Sequence, residues 1–391
     1  MTENELHERR DSTFEVPAET AAVLRLLDAC VRSLDVSDVH LTVPLGRPWE
    51  PRLYVRGGGE FRAVSGKESG ANDPEHPSEV LAEVERWRTD LVRGLLGLLD
   101  ANGRMDFKST GAKDFALVTS GGTRFRGNLY LARGRQELCA AFRRLREAVE
   151  SPQKLGLPEF FLDFVHFSHG LVLVTGPTGS GKSTTLAMLL SHALRVRPGH
   201  YVTIEDPIEY LFHGNEQAEV HQREVGRDTS GFAEALRAVL RQDPDVIMVG
   251  EMRDLETMRL ALHAAETGHL VFSTLHTNTA VETVERIVSV FPGGEQGLIR
   301  AMLASCLRVV ICQRLLPRAD GRGVVPAYEV MVVTGGIANN IREGRFGQLR
   351  SAMETARAAD PRVIFFEECV RRLQAEGIVK VQNAVEGVNH A

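Results

Sequence analysis

At 391 residues the chain is long enough for two or three domains, each with a core of its own. Its 43% hydrophobic and 25% charged content is that of an ordinary soluble protein, and no apolar run approaches the ~20 residues that span a bilayer. A formal net charge of −6 gives no overall basic field, so nucleic acid is not an expected partner, although arginine is frequent from Arg124 to Arg146.

Residues 1–16 read as a polar tail, and Met1 to Arg10 lacks the apolar stretch of a secretory signal. Residues 17–145 read as a first, α+β domain. It opens with an amphipathic helix over Ala21–Val31, followed by strand-like alternation at His40–Val43 and Arg52–Val55. Ser65–Ser78 is rich in turn residues, Glu79–Asp100 has apolar residues at helical spacing, and Phe115–Thr119 and Phe125–Leu131 read as strands. Residues 146–158 form the expected linker, punctuated by Ser151-Pro152 and Gly156-Leu157-Pro158.

Residues 159–334 change in character. Strands at Leu171–Thr175, Tyr201–Ile204, Val246–Val249 and Leu270–Thr274 alternate with helices from Ser183, over Phe232–Gln242 and over Leu255–Thr267. That rhythm predicts an α/β fold, a mostly parallel sheet with helices on both faces. Residues 335–391 read as a mainly helical tail. The five cysteines are scattered and include no C-x-x-C pair, which argues against a disulfide framework or a four-Cys zinc site and fits a reducing cytoplasm.

Gly176-Pro177-Thr178-Gly179-Ser180-Gly181-Lys182-Ser183 fits G-x-x-x-x-G-K-[ST] at every specified position. An apolar strand precedes it and a helix-forming run, from Thr184, follows. Glycines let backbone N–H groups turn inward on an anion, and the helix N-terminus adds its positive end. Lys182 would neutralise phosphate charge, and the Ser183 hydroxyl is placed to ligate Mg²⁺. The expected ligand is ATP with Mg²⁺.

Hydrolysis needs one carboxylate to hold Mg²⁺ through water and another group to orient or deprotonate the attacking water. Glu251 directly follows the strand Val246–Val249 and Gly250, and Glu205 directly follows Tyr201–Ile204. Both therefore fall at the sheet edge where ligands of such folds bind. Asp245 precedes its strand and is the weaker candidate. Asp206 and Glu209 are as well explained by turns and caps. His276 ends the strand after Leu275, whereas His269 precedes it.

These segments resemble a family. Gly176–Ser183, Thr203–Glu209, Gln222–Asp228, Arg241–Asp254 and Glu266–Thr277 look like the Walker A, Asp box, Walker B and His box of PilT-type retraction ATPases within the type II/IV secretion superfamily. The likeness runs nearly unbroken from Leu155 to Thr334. It is fainter in the first domain, at Ser37–Leu41 and Arg124–Arg126. The resemblance implies a homo-hexameric ring whose subunits join a PAS-like N-terminal domain to a RecA-like P-loop domain. It also implies that Glu205 and Glu251 share water activation and Mg²⁺ coordination, and that His269 and His276 monitor nucleotide. Arg124, Arg126 and Arg133 are its candidates for cations that reach the phosphates. An inner-membrane platform protein of a pilus or secretion system is the implied partner, with room for a paralogous ATPase, at the cytoplasmic side of a membrane complex.

Two departures bear on the role. A four-Cys metal site and an extended N-terminal region, frequent in assembly-type relatives, are absent, which favours the retraction-type branch. Where that branch carries Ala-Ile-Arg-Asn-Leu-Ile, this chain reads Gly336-Ile337-Ala338-Asn339-Asn340-Ile341. The expectation is ATP hydrolysis that powers pilus retraction or a related machine. The alternative is a nucleotide-binding regulatory protein of the pilus machinery with little turnover.

Overall fold

The computed structural model describes residues 18–34, 36–46, 51–57, 60–64, 80, 90–145, 151–321 and 323–380. The chain divides into two compact units, Met1–Arg146 and Glu147–Ala391.

In the first unit, helix α1 (Ala18–Leu34) is followed by strands β1 (Asp38–Pro44), β2 (Arg52–Gly57) and β3 (Glu60–Val64). Helices α2 (Leu91–Gly97) and α3 (Ala101–Thr110) then lead into β4 (Ala112–Val118), β5 (Arg124–Ala132) and β6 (Glu137–Arg144). The strands form one antiparallel sheet in the order β3-β2-β1-β6-β5-β4. Alternation decides its faces. Val39, Leu41, Phe125, Leu129, Leu138 and Phe142 are buried in a core with Val23, Leu26, Leu27 and Cys30 of α1. The opposite face carries Arg124, Arg126 and Arg143 in partial or full exposure.

The helix expected to end at Asp100 is followed by another. Asp100 caps α3 by accepting from the Gly103 N–H at 2.6 Å, so a residue that closes one helix opens the next. The expected loop at 65–78 and the first half of the expected helix, residues 81–89, lie outside the described residues. Arg133 sits in the tight β5–β6 turn at φ 48°, its guanidinium 3.5 Å from Glu137.

The second unit holds a seven-stranded sheet of β7 (Gly170–Thr175), β8 (Gly199–Glu205), β9 (Ala218–Glu224), β10 (Val246–Val249), β11 (Leu270–Leu275), β12 (Leu307–Pro317) and β13 (Val324–Val332). Their order is β13-β12-β7-β11-β10-β8-β9, parallel throughout except for the β12–β13 hairpin. Every residue of β7, β10 and β11 is buried, as both-face coverage requires. The covering helices include α4 (Lys182–Val196), α5 (Phe232–Val239), α6 (Leu255–Glu266), α7 (Ala280–Ser289) and α8 (Gly293–Cys306).

Leu157 and Phe161 belong to this core, so the second half of the expected linker packs with the second unit. The tail contributes α9 (Gly335–Glu343), α10 (Leu349–Arg357) and α11 (Phe366–Ala375). Its Leu349, Met353, Cys369 and Leu373 join the same core, and Ile364 exchanges two backbone hydrogen bonds with Val330, covering the edge strand β13. Among the described residues no helix is long and apolar enough to cross a membrane.

Candidate active site

Strand register puts the sequence motifs on one edge. Leu275 of β11 lies beside Thr175 of β7, Val249 of β10 beside Ser273, and Ile204 of β8 beside Val249. The residues that follow these pairs are Gly176, His276, Glu251 and Glu205, all at the carboxyl edge of the sheet.

The phosphate loop connects β7 to α4. Gly176 has φ 140°, and a Cβ there would lie 2.2 Å from the Gln313 carbonyl oxygen, so only glycine lets β12 approach so closely. Gly181 caps α4 from a left-handed conformation (φ 86°) and offers no side-chain acceptor, which leaves the first N–H groups of α4 free for an anion. Ser180 Oγ is buried and has no hydrogen-bond partner among the described residues. An orphaned hydroxyl beside uncapped amides is what a polyphosphate would satisfy, so the loop fits the nucleotide its motif implies.

Lys182 is 9% exposed and donates to the carbonyls of Gly176 at 2.8 Å and Pro177 at 3.0 Å. Burial pulls its ammonium below the usual lysine pKa, and the carboxylates of Glu251 and Glu209 pull the other way. Both acids therefore sit within electrostatic reach of the loop. Glu251 Oε1 lies 3.0 Å from His276 Nε2, and its Oε2 accepts from Arg253 Nε at 2.8 Å. The structure thus brings Lys182, Glu251 and His276 together.

Glu205 stands one strand further out. Its carboxyl is 7% exposed and accepts from Thr203 Oγ1 at 2.6 Å and from Gln222 Nε2 at 3.1 Å. Burial pushes its pKa up to about 7, only partly countered by those donors. The segment after it returns to the loop, where the Tyr210 hydroxyl meets Thr184 Oγ1 at 2.7 Å. Glu209, which sequence left between cap and catalyst, lies on this segment.

His269 is not brought to this edge. It precedes β11, a strand of six residues that separates it from the loop by about 20 Å along the sheet. Its Nδ1 lies 3.0 Å from the Ala264 carbonyl at the end of α6, a structural contact. Arg124 and Arg126 lie side by side on one face of β5 in the first unit, with Arg126 opposite Arg143, which pairs with Asp38 at 2.7 Å. Asp245, set aside on sequence, accepts from the His200 N–H at the start of β8.

Sequence reasoning missed Gln313. Its side chain donates to the Ser180 carbonyl at 2.7 Å and accepts from Thr185 Oγ1 at 2.7 Å, tying the middle of β12 to the loop and to the first turn of α4. The pair Gln313-Arg314 interrupting the apolar run Val309–Leu316 was the available signal. Ser183 stands in the first turn of α4, and with Glu251 it is the pair whose chemistry suits Mg²⁺, an oxygen-seeking ion that keeps several waters and phosphate oxygens.

With this geometry in view, comparison with known proteins is specific. A family model for type II/IV secretion system proteins matches residues 139–363. The type IV pilus retraction ATPase PilT of Pseudomonas aeruginosa is 45% identical over 74% of this chain and 82% of its own length. A crystal structure of the pilus retraction motor PilT with bound ADP superposes with a TM-score of 0.77 at 39% identity, covering 93% of this chain and 96% of that one. The ATPase DotB of Legionella pneumophila gives 0.73 at 26% identity, over 94% and 95%. The chain belongs to the type II/IV secretion ATPase family.

Proposed function

We propose that this ATPase hydrolyses ATP with Mg²⁺ as a homo-hexameric motor that powers retraction of a type IV pilus or a closely related machine. The observation that carries the reading is the convergence of Lys182, Glu251 and His276 on an uncapped phosphate loop at one sheet edge. Family membership and the likeness to PilT supply the biological setting.

In this reading the amides of Gly179 to Ser183 and the Lys182 ammonium hold the β- and γ-phosphates. Mg²⁺, held by Ser183 and through water by Glu251, would neutralise charge that develops on the phosphate oxygens. Glu205 is the better general base. Its pKa of about 7 matches the operating pH, whereas Glu251 is committed to His276 and Arg253. His276 reads the bound nucleotide through Glu251. His269 is left with its structural contact. Arg124 and Arg126 are assigned, by resemblance, to the phosphates as transition-state cations. An inner-membrane platform protein is the proposed partner, at the cytoplasmic face of a membrane complex.

Helix α9 bears on the choice between pilus and related machine. It forms despite its altered sequence, because Ile337 and Ile341 still face the core. The changes fall on exposed Gly336 and half-buried Ala338 and Asn340, where a partner would be read without cost to folding. Phosphate release by the purified chain, with and without EDTA, tests the enzyme. A deletion strain complemented with wild type or Lys182→Ala tests the role. Surface motility that Lys182→Ala restores as well as wild type does would refute the motor reading.

A further inference from the structure

We infer that Glu329 is a positioning residue for hydrolysis: its buried carboxylate anchors the N-terminus of α7 and so holds the short loop that presents His276 to Glu251. This rests on the role proposed above for His276 and Glu251.

Glu329 lies on β13, opposite Cys312 of β12, and is 4% exposed. Its Oε1 accepts from the Ala280 N–H at 2.7 Å. Ala280 is the first residue of α7, so the carboxylate meets an orphan amide at the positive end of a helix. A carboxylate buried this deeply is costly unless something satisfies it. Burial raises its pKa; the Ala280 amide favours the charged form, the Glu367 carboxylate opposes it, and Arg350 and Arg314 add smaller support for the charge.

Only four residues separate β11 from α7, and the last three are fixed from behind. His276 comes first. The Thr277 hydroxyl, 3% exposed, lies 2.7 Å from that of Thr283 on α7. The Asn278 N–H donates to Glu282 at 2.7 Å, and Thr279 caps the helix. The Thr283 hydroxyl also stands 3.5 Å from Thr175, the last residue before the phosphate loop, and Thr175 donates to Cys312 at 3.0 Å. Strand β13 therefore reaches the His276 loop through one charged contact at the helix start, while a row of buried hydroxyls ties the same loop to β7 and to Cys312 of β12. Any shift of the α7 start moves His276 relative to Glu251. A displacement of about 1 Å at a reacting centre can cost ~10²-fold in rate.

The test uses the purified full chain. Glu329→Asp keeps the charge but withdraws the oxygen by one methylene, and Glu329→Gln keeps an acceptor at the original reach. The expected result is a fall in kcat of about ten-fold or more for Glu329→Asp, with ADP affinity within about two-fold of wild type, and Glu329→Gln within about three-fold in both. Equal loss of kcat and affinity, unchanged kcat in Glu329→Asp, or failure of Glu329→Gln to retain turnover would each overturn the inference. Melting curves accompany each variant, and Glu329→Leu repeats the test if the aspartate variant melts early. Glu251→Gln and His276→Ala run in parallel. If they turn over like wild type, the proposed roles fail. If they lose turnover while Glu329→Asp does not, only the positioning of His276 by Glu329 fails.

Discussion

At the amino edge of the seven-stranded sheet, His269 meets the carbonyl of Ala264, His200 those of Gln242 and Asp243, and Arg308 donates to Ser305 and His169. At the carboxyl edge, Lys182, Glu251, His276 and Arg253 turn towards one another or towards the phosphate loop. The same residue types serve different ends because a parallel sheet sorts helix termini. Helices finish at the amino edge, where their last carbonyls need donors, and they begin at the carboxyl edge, where their first amides need acceptors. Helices α6 and α7 meet that need with Asp254 and Thr279. Helix α4, starting at Gly181, does not, and its amides remain for a ligand.

Substitutions at the two edges should separate accordingly. Lys182→Ala should have the largest effect on nucleotide binding, because removing a buried cation that faces phosphate costs about 2–5 kcal/mol, a factor of ~30 or more in affinity. Calorimetric titration with ATP checks it, and near-wild-type affinity would erase the distinction between the edges.

Next comes pH. If Glu205 is the base, turnover should fall about ten-fold per unit below pH ~7 as its carboxylate takes up a proton, and Glu205→Gln should abolish both turnover and that limb. Stability has the opposite slope. The raised pKa means that the folded chain holds this proton more tightly, so the Glu205 contribution to stability declines as pH rises from 4.5 to about 7. Denaturant melts of wild type against Glu205→Gln across that window isolate the contribution.

Gln313→Leu sharpens the comparison at the site itself. It leaves the Ser180 carbonyl and Thr185 hydroxyl without their partner, at roughly 1–3 kcal/mol, and should lower nucleotide affinity about ten-fold. The smallest effect belongs to His269→Ala, for which turnover should stay within about two-fold while stability drops by ~1 kcal/mol. A turnover defect in purified His269→Ala as large as that of His276→Ala would show that the amino edge also serves chemistry.

How much of this was legible in the sequence depended on burial. Strands β7, β10 and β11 are buried on both faces, so they read as near-continuous apolar runs, with Ser273 and Thr274 buried in β11, and each announced itself. The residues at their ends, Glu251 and His276, followed from the rule that ligands bind at the carboxyl edge. Strand β9, an edge strand written Ala218-Glu219-Val220-His221-Gln222-Arg223-Glu224, has almost no apolar pattern and went unseen. Helix α8 opens with Gly293-Gly294 and looks like a loop; Pro292 and the buried Ile299 and Leu303 hold it in place. The role of Gln313 depends on which strand lies next to β7, and strand order is a tertiary fact that no local pattern encodes. In the first unit, the sequence pattern found β1, β2, β4 and β5, while α3 was hidden because Asp100 both follows one helix and caps another.

The most direct measurement is phosphate release by Glu251→Gln, read beside its ATP affinity. The variant keeps the size of the side chain and a donor or acceptor for His276 and Arg253, but it removes the charge facing Lys182. The account predicts that ATP still binds and that turnover falls by ~10²-fold or more. Release at the wild-type rate from a folded, ATP-binding Glu251→Gln protein would contradict it.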